Sequence, residues 1–220
     1  MSDSEREQRE DVVRGVRLLF QAGVMSHSGH GNVSVRLPEG ERMLLTSKGT
    51  ISELGPDDLT GVDFDGQAVD GTLQPVAAEI VSMHAAVYRQ RQDARAVIHT
   101  HSPHVTSFAL AHAPLPCAYE ALLRHEVVDD IPVAGWGPRG SEASVREIAD
   151  ALRQHAGVRA LLLANHGLLA FGPSAQAAAQ LIVAMEEAAE MTIGAQPLGG
   201  FQPFPPGALE QVRSHMAKFA

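Results

Sequence analysis

The stretch Ala96-Val-Ile-His-Thr-His-Ser102 closes an apolar run with two histidines, His99 and His101, at i and i+2. On a β-strand, alternate side chains point to the same face, so this spacing brings two imidazoles together. Two imidazoles on one face can share one metal ion. A related run comes later, Ala160-Leu-Leu-Leu-Ala-Asn-His-Gly167, where an apolar strand ends in His166. Three histidines from two strand ends match the three-histidine shell of a catalytic zinc, which keeps one position open for water or substrate. His-x-His by itself is a weak signal. The chain holds 11 histidines among 220 residues, enough for such pairs to arise by chance. The pair gains weight from its place at the polar end of a buried-looking strand. Imidazoles buried side by side need partners, and a metal is an efficient one.

Composition narrows the function classes. A chain of 220 residues with 45% hydrophobic residues and mean hydropathy near zero is expected to be one soluble domain, 1–220, with a sizeable core. The net charge is −9, without a basic run, which argues against nucleic-acid and membrane-surface partners. A single cysteine, Cys117, rules out an internal disulfide and fits a reducing compartment. The charged N-terminus has no apolar signal segment, and no apolar stretch is long enough to span a bilayer. These features predict a cytoplasmic protein.

Read in order, the chain predicts alternating helices and strands. Ser4 and Glu7 suggest a capping box that opens a first helix, with Val12, Val13, Val16, Leu19 and Phe20 as its buried stripe and Gly23 as its stop. Ser26-His-Ser-Gly-His-Gly-Asn-Val-Ser-Val-Arg-Leu37 is a glycine-rich loop leading into a strand. Its backbone N–H groups could cradle an anion, although a plain turn is the commoner role. His27 and His30 could be ligands, but lone loop histidines usually are not. Pro38-Glu-Gly40 joins that strand to Met43–Thr46 as a hairpin, and Asp65-Gly66 marks another turn. Lys48 and Gly49 at a strand end could hold a phosphate or carboxylate, or simply face solvent. Pro75 opens a helix to about Gln90. Glu79 lies in its first turns among apolar neighbours, as a partner of the helix dipole or as a poised acid/base. His84 and Tyr88 share a face and read as structural. Gly135-Trp-Gly-Pro-Arg-Gly140 matches G-x-G-x-x-G, but the short strand before it, Pro138 within it and the missing ribose acid argue against a dinucleotide. Ser144 and Glu147 suggest a cap for a helix Val145–His155. Leu168–Phe171 reads as a continuation of the strand Leu161–Ala164. A long Ala-rich helix follows, and residues 196–220 form a Pro- and Gly-rich tail. The many hairpins predict a mixed, partly antiparallel sheet covered by helices.

Taken together, Gly31-Asn-Val-Ser34, Leu45-Thr-Ser-Lys-Gly49, Glu79 with Met83-His-Ala-Ala-Val-Tyr88, Val97-Ile-His-Thr-His-Ser102 and Leu162-Leu-Ala-Asn-His-Gly-Leu168 resemble the class II aldolase/adducin family. The motifs occur in family order across roughly residues 8–195. The resemblance implies a three-layer α/β/α fold with a mixed, largely antiparallel central sheet. It implies a homotetramer with sites between subunits, and a small-molecule substrate. It implies His99, His101 and His166 as ligands of Zn2+, with Mn2+ or Co2+ as alternatives. Glu79 would be the catalytic acid/base that also approaches the metal, and Tyr119 (or Glu120) a second proton-transfer group. Gly31, Asn32, Lys48 and Gly49 would hold a phosphate. The implied activity is a zinc-dependent lyase that cleaves or forms a C–C bond in a small sugar or sugar phosphate through a metal-stabilised enediolate. Decarboxylation of a 3-keto sugar acid is the alternative on the same scaffold. The chain departs from the family pattern in several places. Ala77-Ala78 stand where a Ser-Ser pair is common, Lys48 stands where a threonine is common, Glu79 is one residue farther from His84, and no tyrosine follows Tyr119.

Other readings fit less of the chain. His99-x-His101-x-x-His104 resembles the metallo-β-lactamase signature, but Pro103 replaces its aspartate and no four-layer pattern surrounds it. An amidohydrolase pair would need a barrel longer than this chain. The adducin head domain shares the fold as a non-catalytic interaction module. Such a module should have lost its ligands, whereas all three histidines and Glu79 are present here.

Overall fold

A computed structural model describes residues 3–218. Helix α1 (Asp3–Gln21) begins one residue before the predicted cap, so Ser4 lies inside it. Three antiparallel strands follow, β1 (Gly31–Arg36), β2 (Arg42–Thr46) and β3 (Leu59–Asp63). Helix α2 (Pro75–Gln90) opens with Pro75 in its first turn and leads to β4 (Ala96–Thr100). Helices α3 (Pro103–Ala111) and α4 (Glu120–Arg124) precede the short strand β5 (Val133–Ala134). Helix α5 (Glu142–Gln154), strands β6 (Ala160–Leu163) and β7 (Gly167–Gly172), and helix α6 (Ala175–Ala195) complete the layered body.

The sheet order is β3-β2-β1-β4-β7-β6-β5, and only β5 and β6 run parallel. Alternation along the strands divides the core into two layers. Ile98, Leu162, Leu168 and Ala170 face α1, α3, α4 and α6. Val97, Leu161, Leu169 and Phe171 face α2 and α5. A strand buried on both faces reads as a continuous apolar run, which is why β4, β6 and β7 lack polar alternation. The three-layer, largely antiparallel α/β fold is the one expected.

Three local expectations change. The run 160–171 is not one strand. It reverses at residues 164–166 into the hairpin β6–β7, with Leu163 paired to Gly167. Helix α5 is capped by Ser141, whose Oγ accepts the Ser144 N–H at 3.2 Å, so the cap lies three residues before Ser144. The tail contains a further helix, α7 (Ala208–Met216), where Arg213 reaches Glu126 at 3.0 Å. Among the described residues, no helix is long and apolar enough to cross a membrane.

Candidate active site

Three elements deliver the imidazoles. Strand β4 carries His99 beside β7, and His101 follows just past the strand end. His166 sits in the tight β6–β7 turn. The preceding Asn165 takes a left-handed conformation, φ 57°, which asparagine tolerates better than most residues. Its N–H donates to Ala109 O at 3.2 Å, and its Oδ1 accepts from His112 Nε2 at 2.7 Å. The turn is thus fastened to the end of α3. Gly167 follows because nothing larger fits. A Cβ there would stand 2.5 Å from Thr100 O and 2.7 Å from His101 Cδ2. Gly167→Ala should therefore cost about 1–3 kcal/mol of stability by overpacking, and should push His166 and His101 apart. Metal titration beside denaturant unfolding checks this, and full metal affinity in the variant would contradict it.

The donor atoms of His99, His101 and His166 lie within 4.8 Å of one another. His99 Nδ1–H donates to Leu168 O at 2.8 Å, which fixes its tautomer and leaves Nε2 as the ligand atom. That Nε2 is 3.1 Å from His101 Nε2. Two nitrogens bound to one tetrahedral zinc at 2.0–2.1 Å would be about 3.3 Å apart, so the pair suits a shared ion. Burial, then the neighbouring His166 and His101, holds the His99 pKa well below the ordinary value. Burial, then His166, His30 and Arg139, lowers His101 to about 4. His166 is lowered by burial and then by Arg139. Neutral imidazoles are the form that binds metal. The residues present fit a divalent cation of the zinc type.

One cavity, about 120 Å³, joins this triad to most of the predicted site. Gly31, Asn32, Lys48, Gly49 and Glu79 all line it, together with Ile80, Met83, Arg139 and Gly140. Lys48 Nζ is 2.5 Å from Asp58 Oδ1, so its charge is largely matched. Lys48 holds the Asp58 carboxyl below the usual range. Glu79 shares the cavity with the imidazoles but stands outside their group of mutually close donor atoms. Among the described residues, the group of mutually close donor atoms is the three histidines alone. The Glu79 carboxylate instead pairs with Arg139 Nε at 3.3 Å. Tyr119 is not brought to the cavity. It precedes α4 and packs, half-buried, against the layer of α1 and α6.

Two features are not legible in any single stretch of the sequence, the place of the loop 135–140 in the cavity wall and the link from His84 to Asn32. Arg139 and Gly140, from the glycine loop whose pattern matches a dinucleotide site, line the cavity instead. His84, structural as its face-sharing with Tyr88 predicts, closes a buried chain that ends at Asn32. Asn32 Oδ1 can only accept, so His84 Nε2–H donates to it, at 2.5 Å. His84 Nδ1 then accepts from Ser34 Oγ–H at 2.7 Å, and Ser34 Oγ accepts from Tyr88 O–H at 2.8 Å. The network fixes the Asn32 side chain, which lines the cavity. The spacing Asn32, Ser34, His84, Tyr88 was a signal of this network, since strand i, i+2 meets helix i, i+4.

Burial lowers the His84 pKa to about 3. The unfolded chain has an ordinary histidine near 6.5 and protonates first. The stability from this buried neutral ring is therefore present above pH 6.5 and is lost as pH falls from there toward 3. The expected slope from this group is up to about 1.4 kcal/mol per pH unit. Urea unfolding from pH 7 to 4 checks it, and His84→Gln should flatten the slope by that amount.

Comparison with known proteins places this architecture. The model of the Class II Aldolase and Adducin N-terminal domain matches residues 10–193. A 5-methylthioribulose-1-phosphate/5-deoxyribulose-1-phosphate aldolase of Rhodospirillum rubrum is 32% identical over 161 residues, 73% of this chain and 69% of that protein. A 3-oxo-tetronate 4-phosphate decarboxylase of Escherichia coli is 27% identical over 193 residues, 85% of this chain and 86% of that protein. Among solved structures, an L-fuculose 1-phosphate aldolase superposes with a TM-score of 0.83 at 25% identity, covering 99% of this chain and 98% of that one. The chain belongs to the class II aldolase and adducin N-terminal domain family.

Proposed function

We propose that this chain is a metal-dependent lyase of the class II aldolase type, acting on a small hydroxy-ketone sugar or sugar phosphate by making or breaking a C–C bond. The observation that carries the reading is the set of three neutral, mutually facing imidazoles in the same cavity as Glu79. His99, His101 and His166 would hold the metal, zinc in the first instance and Mn2+ or Co2+ as alternatives. When bound, it would supply Lewis-acid polarisation of a substrate carbonyl. Glu79 serves as the acid/base, taking a proton from the substrate and returning it. The Asn32 amide, the Gly31 and Gly49 backbone and Lys48 receive the anionic end of the substrate. Ile80 and Met83 limit water beside the reacting carbon. Tyr119 can act only in a site completed by a neighbouring subunit. Exposed apolar side chains, including Leu198 at 87% and Trp136 at 61%, support a homo-oligomer, and the proposed assembly is a tetramer. The lone cysteine supports a cytoplasmic location.

Decarboxylation of a 3-keto sugar acid is the second reading. The likeness to a 3-oxo-tetronate 4-phosphate decarboxylase over 85% of this chain favours it. NMR of the zinc-loaded protein with ketose 1-phosphates, plain ketoses and 3-keto acids separates the two. Release of dihydroxyacetone phosphate or a glycolaldehyde-type fragment supports the aldolase. Loss of carbon dioxide from the keto acids alone supports the decarboxylase, and turnover of none of them overturns both.

A further inference from the structure

We infer that Arg139 selects an anionic substrate by exchanging its ion pair with Glu79 for one with a carboxylate or phosphate carried by that substrate. The inference rests on the lyase reading above and names the substrate class of the same site. Arg139 stands in the turn Pro138–Ser141, closed by the Ser141 N–H to Pro138 O at 3.0 Å. Gly140, φ +73°, occupies the position of this turn that needs a left-handed residue. A Cβ at Gly140 would lie 3.2 Å from both Glu79 Cβ and Glu79 O. The loop is therefore pressed directly onto α2 at the acid/base, and the backbone fixes where the guanidinium begins.

The charge of Arg139 acts inside the cavity. Its side chain lines the same cavity wall as His101 and His166. The other cation of the wall, Lys48, is already matched by Asp58 at 2.5 Å. Arg139 holds Glu79 through Nε at 3.3 Å, with both side chains about half exposed. A planar guanidinium makes its strongest pair through a two-point fork to a carboxylate or phosphate. An incoming anion can offer that fork and displace the Glu79 carboxylate. The displaced Glu79 is then free to take a proton from the substrate. An uncharged analogue leaves the Arg139–Glu79 pair in place, so the base stays occupied. The residues flanking Glu79 strengthen the assignment. Ala77 and Ala78 carry no hydroxyl, so the anion received by Asn32, Gly31, Gly49 and Lys48 takes its further side-chain contact from Arg139.

Arg139→Gln keeps a polar side chain of useful length and removes the charge. Two readouts test the inference. The first is the ratio of kcat/KM for a charged substrate over its uncharged analogue. It should fall at least tenfold in Arg139→Gln, mainly through KM, and recover in part in Arg139→Lys. An equal loss for both substrates would overturn the inference. The second readout needs no turnover. Inorganic phosphate and acetoacetate are titrated calorimetrically into the zinc-loaded wild type and Arg139→Gln. At least one of the two should bind the variant tenfold more weakly, and the one affected identifies the anion. Equal binding of both anions to both proteins would overturn the inference even if the lyase activity is confirmed. A binding difference without any turnover would uphold the role of Arg139 while sinking the lyase reading.

Discussion

Glu79→Gln should turn substrate over about a hundredfold to ten-thousandfold more slowly than the wild type, the range set by loss of a positioned acid/base. It should keep its metal. Glutamine preserves the size of the side chain and can still accept a hydrogen bond from Arg139, so the wall of the cavity should hold its shape. The substitution removes the one thing the chemistry needs, a group that takes up and returns a proton. Metal retention follows from geometry, because Glu79 stands outside the set of donor atoms within 4.8 Å of one another. Steady-state rates and metal analysis on the same preparation check both halves. Normal turnover would remove Glu79 from the mechanism. Loss of metal would mean that Glu79 is a ligand after all.

His101→Ala should show the reverse pattern, with metal and activity lost together. His101 is the suitable ligand to remove because it lies past the strand end and is only half-buried, whereas His99 is embedded in β4. Taking one of three imidazoles leaves two, too few to close a tetrahedral site around an open position. Wild type in metal at a hundred times its Kd should gain about 2.7 kcal/mol of apparent stability. The variant should gain none under the same conditions. Its apo form should unfold much as the apo wild type does. A variant that keeps the metal-dependent shift would break the triad assignment.

What the sequence made legible follows from how local each signal is. His99 and His101 were readable because strand period alone sets their shared face. Helix α2 was readable end to end because Pro75 fixes its start. The β6–β7 reversal was not, since Ala160–Phe171 is apolar on both sides of the turn and a doubly buried strand has no alternation to interrupt. Asn165 was the clue, as a residue that accepts positive φ directly before His166. Ser144 was misread as a cap because Ser141 lies one turn earlier with the same chemistry. Arg139 was invisible as a site residue, because its role arises only when the loop 135–140 packs on α2. Helix α7 was hidden by the Pro- and Gly-rich segment before it, and it buries none of its own residues fully.

The most direct test of the triad as a metal centre is X-ray absorption on the protein loaded with one equivalent of zinc, compared with His101→Ala. The account predicts one zinc per chain, a first shell with three imidazole nitrogens at about 2.0–2.1 Å, and loss of that shell in the variant. A wild type that takes up no zinc, or a zinc shell unchanged by His101→Ala, would contradict it.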